Sequence, residues 1–81
     1  MNYSEKILRK MRQSPSNITI QEIIIFMKYK KIDLDRIRGS HFTFENALNG
    51  ETITITSHNK KVKKIYIKKI LKLIKNSNEK L

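Results

Sequence analysis

The 81-residue chain contains no cysteine. Neither a disulfide framework nor a thiolate metal site can therefore form. Two histidines and seven carboxylates leave little from which to build a zinc site, so no metal and no other cofactor is expected. Long apolar runs are missing too. Nothing approaches the length of a bilayer span, and Met1-Asn2-Tyr3-Ser4-Glu5 lacks the apolar core of a signal peptide. The expectation is a soluble, cytoplasmic protein that makes no membrane contact. Glycine and proline are scarce, and each marks a break: Pro15 within Ser14-Pro15-Ser16-Asn17, Gly39 before Ser40, and Gly50 after Asn49.

Acidic residues are the last scarcity. Lys and Arg number 18 against 7 Asp and Glu, a formal net charge of +11. A field of that size attracts polyanions and speeds encounter with them. Nucleic acid, an anionic membrane surface and an acidic protein all fit by charge, though short, core-bearing helices argue against the membrane surface, and charge alone says nothing about catalysis. The length suits one domain, residues 1–81, in which residues 1–16 add an N-terminal helix. A domain this small buries only about 60% of its unfolded surface, so one core must serve most of the chain.

Ile7, Leu8 and Met11 share a face of a short helix over residues 4–13, which must dock to persist. Thr19-Ile20-Gln21-Glu22 is a capping box opening a second helix that runs to about Tyr29. Its predicted core stripe is Ile20, Ile23, Ile24 and Met27, with Phe26 at the edge. Ile25 falls opposite, either as a stray surface isoleucine or as a partner contact. Ile32 to Arg38 alternates as a strand, with a slip at Arg36 and Ile37 that suggests a bulge or a bend.

Gly39-Ser40 turns the chain into a strand from His41 to Glu45. Phe42 and Phe44 face inward there, which leaves His41 and Thr43 on the other side. Asn49-Gly50 is a tight-turn signal, and Thr52 to Thr56 is an alternating strand with Ile53 and Ile55 inward. Ser57 to Lys64 reads as a polar, basic loop. The last helix spans about Ile65 to Asn76, with Ile67, Ile70, Leu71 and Ile74 inward and Lys68, Lys72 and Lys75 along the other side. The stretch from Lys60 to Lys80 carries nine of the 18 basic residues. The expected class is α+β, in the order α-α-β-β-β-α, with helices on one face of a three-stranded antiparallel sheet and the other face open.

A lone strand histidine is ordinarily structural or simply exposed. Three features favour chemistry at His41: its neighbours claim the core face, Gly39 permits close approach, and a basic surface is at hand. A histidine can accept a proton from a ribose 2′-OH near neutral pH, and the freed oxygen attacks the adjacent phosphorus without a metal. Lys or Arg nearby would stabilise charge on the phosphoryl oxygens. DNA has no 2′-OH and cannot react in this way. His58 has three readings: a general acid, a phosphate contact, or a loop residue capping backbone, the last being the ordinary one.

Arg38-Gly39-Ser40-His41 with the following aromatic pair resembles the active-site segment of the HicA family of mRNA interferase toxins. The similarity continues through Ile53 to Ile55, His58-Asn59-Lys60, and Val62-Lys63-Lys64 leading to Ile67-Lys68-Lys69-Ile70-Leu71. It covers nearly the whole chain. The resemblance implies a double-stranded-RNA-binding-like fold, metal-independent endoribonuclease activity on mRNA, and neutralisation by a HicB-type antitoxin. It assigns catalysis to His41, with Gly39 and Ser40 as the supporting loop. RNA contacts are expected from Arg38, His58, Lys60, Lys61, Lys64, Lys68 and Lys72. Three departures stand out: Phe42 where many members have a second histidine, Lys30-Lys31 where a glycine is common, and Ser57 where a proline often precedes the loop histidine. The alternative is a non-catalytic basic RNA-binding module in which His41 only contacts a phosphate.

Overall fold

The computed structural model describes residues 2–78, the side chains of residues 75–78 excepted. Among these residues the order is α1 (Tyr3–Gln13), β1 (Ile18–Thr19), α2 (Ile20–Tyr29), β2 (Ile32–Arg38), β3 (His41–Asn46), β4 (Thr52–His58), β5 (Lys61–Val62) and α3 (Lys64–Asn78). The architecture is α+β with an antiparallel sheet, as expected. The sheet has five strands in the order β1-β5-β4-β3-β2, not the three read from the sequence. The two extra strands are two residues long, too short for alternation to reveal. Ile18 pairs with Val62 and Thr19 with Lys61, while Ser57 and His58 pair with Val62 and Lys61. The segment expected to be a basic loop is therefore a hairpin. Its turn residues Asn59 and Lys60 both adopt positive φ, 51° and 67°. That is the conformation of a two-residue type I′ turn, which glycine usually signals.

Local chemistry explains the helices. Asn2 caps α1, its side chain accepting from the Glu5 amide at 2.8 Å. The Thr19 capping box forms as its residues dictate. The Glu22 amide donates to Thr19 Oγ1 at 3.1 Å, and the Thr19 amide donates to Glu22 Oε1 at 2.9 Å. Glu22 also ties the two helices together by accepting from Lys10 Nζ at 2.9 Å. Partial burial works to raise the Glu22 carboxyl pKa. The hydrogen bonds from the Thr19 amide, Lys10 and the Thr19 hydroxyl, with the Lys10 charge, outweigh it and hold the group below its ordinary value.

A single core takes Ile7 and Met11 of α1, Ile23, Phe26 and Met27 of α2, Phe44 and Ile55 of the sheet, and Ile67, Ile70 and Ile74 of α3. All three helices thus supply apolar residues to the core lined by the inward sheet residues. Phe26, expected at the edge of the α2 stripe, is fully buried, whereas Ile24 of that stripe is only half-buried. Ile25 is half-buried and lines a shallow surface groove with Ile24, Lys28 and Tyr29. The slip in β2 is a bulge: Leu34 faces Phe44, but Arg36 faces Thr43. Ile37 regains the inward side opposite Phe42 yet stays 52% exposed, so the hairpin end is thinly covered.

Lys31 leaves α2 with φ 65°, the left-handed conformation that glycine adopts freely at a helix end. A lysine stands where the glycine was expected, at a backbone cost. Lys31→Gly is expected to stabilise the protein by about 0.5–1 kcal/mol. A chemical-denaturation midpoint at or below that of the parent would contradict this.

Candidate active site on the open sheet face

Strand alternation and register decide what surrounds His41. It begins β3, facing Arg38 of β2 on one side and Thr56 of β4 on the other. Opposed side chains in antiparallel pairs have Cβ atoms about 4.5–5.5 Å apart. Arg38, His41 and Thr56 therefore form a row across three strands. The face continues with Thr43 beside Thr54, whose hydroxyls lie 3.1 Å apart. Two residues beyond Thr56 on β4 is His58, paired with Lys61 of β5. A diagonal neighbour of this kind lies about 7–8 Å from His41, so both histidines occupy one end of one face. His41, His58, Arg38 and Lys61 are all exposed.

The hairpin end is set by Gly39, whose φ of +58° at the first turn position suits a type II′ turn. No atom lies within 4 Å of where its Cβ would be. The space above Gly39 is open to a ligand, and the need for glycine there is conformational. Ser40 extends the ladder, its carbonyl accepting from the Ser57 amide at 2.9 Å. Among the described residues no carboxylate or other side chain hydrogen-bonds His41.

Charge along this face is segregated. Arg38, His41, His58 and Lys61 lie towards the Gly39 hairpin and β5, while Arg36, opposite Thr43, stands 3.9 Å from the Asp35 carboxylate. Asp33 and Glu45 face each other at the opposite end. An anionic strand is thus favoured at one end and repelled at the other. Beside the basic end, Ser16, His58, Lys61, Lys63 and Lys64 line a shallow basin of about 240 Å³. Lys60 sits in the turn between β4 and β5. Lys68 and Lys72 are exposed on α3, turned away from Ile67, Ile70 and Ile74 and hence from the layer that carries His41. Of the basic residues singled out in the sequence, the fold sets Arg38 and His58 about His41, lines the adjoining basin with His58, Lys61 and Lys64, and carries Lys68 and Lys72 on α3. The Lys75 side chain lies outside the described residues.

Two residues beside His41 were not singled out. Thr56 was legible, because Thr52, Thr54 and Thr56 alternate away from Ile53 and Ile55. Tyr66 was not: it comes from the first turn of α3, and its hydroxyl donates to Thr56 Oγ1 at 3.2 Å. Lys69 Nζ stands 5.6 Å from the centre of the Tyr66 ring. No group of three or more potential metal-ligating residues occurs among the described residues. No helix among them is long and apolar enough to cross a membrane.

These features define a small, basic α+β protein whose open sheet face carries a histidine-centred polar row. Residues 20–75 match the model of a family described as HicA toxin of bacterial toxin-antitoxin. The chain belongs to the HicA toxin family, which implies a toxin role and an antitoxin partner. No curated protein and no solved structure matches the chain.

Proposed function

We propose that this toxin is a metal-independent endoribonuclease acting on mRNA, with His41 as general base, in a single domain of double-stranded-RNA-binding-like fold. The observation that carries the reading is the placement of His41: exposed on the open face, beside an unobstructed glycine turn, at the basic end of a sheet with segregated charge. His41 takes the proton of a ribose 2′-OH, and the oxygen attacks the adjacent phosphorus. Arg38, directly across the strand pair, offers donors to the phosphoryl oxygens. His58, Lys60, Lys61 and Lys64 guide the flanking phosphates past the β4–β5 turn. Lys68 and Lys72 form a separate basic surface on α3, available to more distant RNA. A HicB-type antitoxin with acidic surface would be drawn to the same charge and would silence the toxin by occupying it. Such chemistry belongs in the cytoplasm, where mRNA is found.

The test is cleavage in excess EDTA. RNA is expected to be cut while DNA of the same sequence survives, because only RNA carries the 2′-OH. Loss of cleavage in chelator, restored by magnesium or zinc, would contradict the mechanism. Tight binding of RNA with no cleavage under any condition would favour the non-catalytic module instead.

A further inference from the structure

A 2′-OH attack leaves one group unassigned. The base accounts for the proton removed, but the departing 5′-oxygen must gain one. Arg38 is already placed as a hydrogen-bond donor to the phosphoryl oxygens, and a guanidinium does not act as a proton-transfer acid in proteins. His58 is exposed and has no hydrogen-bond partner that fixes its ring among the described residues. Tyr66 differs on both counts. It is half-buried against the core, its hydroxyl donates to Thr56 Oγ1 at 3.2 Å, and the Lys69 ammonium stands 5.6 Å from its ring centre.

We propose that Tyr66 is the general acid of this reaction, held ready by Thr56 and Lys69; the inference rests on His41 being the base. The geometry follows from the register. Thr56 faces His41 across the strand pair. The Tyr66 hydroxyl is one hydrogen bond from Thr56, whose Cβ lies about 5 Å from that of His41 by cross-strand pairing. In-line displacement needs base and acid on opposite sides of one phosphorus, and the proposal seats that phosphorus over Thr56, between His41 and Tyr66. The new bond is 2′-O to phosphorus, and the bond broken is phosphorus to 5′-O. His41 receives the 2′-OH proton; the Tyr66 hydroxyl turns its proton from Thr56 Oγ1 to the 5′-oxygen, and the Thr56 hydroxyl then donates to the tyrosine oxygen. The products are a 2′,3′-cyclic phosphate and a 5′-OH. Exchange with water returns His41 and Tyr66 to their starting forms, so protons balance over the cycle.

Lys69 is a positioning residue. Its charge over the aromatic face, 5.6 Å from the ring centre, fixes the ring. The α3 surface splits accordingly: Lys69 lies on the Tyr66 flank that reaches Thr56, whereas Lys68 and Lys72 lie elsewhere on the helix.

A substrate with sulfur in place of the bridging 5′-oxygen separates the roles, because a thiolate leaves without a proton. Tyr66→Phe is expected to cut ordinary RNA about 100-fold more slowly, yet to cut the 5′-thio substrate within about threefold of the parent rate. Lys69→Gln, at an exposed position where folding is not at stake, should show the same pattern more weakly, with recovery in Lys69→Arg. His41→Ala should be slow on both substrates. Circular dichroism and a thermal melt establish that each variant is folded, and Lys69→Gln carries the test if Tyr66→Phe is not. Unimpaired cutting of ordinary RNA by both Tyr66→Phe and Lys69→Gln would overturn the assignment. So would equal slowing of Tyr66→Phe on both substrates, or rescue by sulfur of His58→Ala in its place. A His41→Ala protein that cuts both substrates at the parent rate would remove the base, and the inference with it. The other failures remove Tyr66 alone.

Discussion

His41→Ala is expected to slow RNA cleavage by about 10²–10⁴-fold, the usual contribution of a positioned general base. Growth arrest on induced expression should disappear with it. Stability should hardly move, because His41 is exposed and its side chain has no hydrogen-bond partner among the described residues. Surface replacements of this kind change stability by within about 0.5 kcal/mol. Its neighbours Phe42 and Phe44 keep the strand seated, since Phe44 opposes Ile53 and Phe42 opposes Ile55 on the inward side. Circular dichroism and a thermal melt, run beside the cleavage assay, check both halves. A folded His41→Ala protein that still arrests growth removes the catalytic assignment.

Phe44→Ala should do the reverse, destabilising the fold and, through it, lowering activity. Phe44 is fully buried in the middle of β3, in one core with Phe26, Ile55 and Ile67. Truncating a buried phenylalanine costs about 3–5 kcal/mol, a large part of the roughly 5–15 kcal/mol that stabilises a small domain. The melting temperature should fall by roughly 12–40 °C at about 4–8 °C per kcal/mol. The two substitutions lie three residues apart on one strand and separate folding from chemistry, because strand alternation sends them to opposite faces. A melting temperature within about 5 °C of the parent would show that the core does not depend on this side chain.

The same alternation made much of the fold legible. Phe42 and Phe44 against His41 and Thr43, Ile53 and Ile55 against Thr54 and Thr56, and the Thr19–Glu22 box each encode a local rule that tertiary context upheld. Two kinds of feature escaped. The strands Ile18–Thr19 and Lys61–Val62 exist only because distant segments pair, and Lys60 hides a turn that glycine would have announced. Helical spacing set Phe26 at the stripe's edge, and its complete burial there depends on the elements packed against α2. For the site, Gly39 and His41 were readable as a turn and an outward residue. The clustering of His58 with His41 needed the register of β3 against β4. Tyr66 needed tertiary structure altogether, since nothing in Lys64-Ile65-Tyr66 says that its hydroxyl will meet Thr56 ten residues earlier.

The central claim is that a ribose 2′-OH is the nucleophile and His41 its base. The most direct measurement uses an RNA whose cleavage site has been mapped, resynthesised with one deoxyribose on the 5′ side of the cut bond. In excess EDTA, the parent protein is expected to cut the all-ribose strand, leaving a 2′,3′-cyclic phosphate. It should leave that bond intact in the singly substituted strand. Cleavage of the deoxy-substituted bond at the ordinary rate, or a product bearing a 5′-phosphate, would contradict the account.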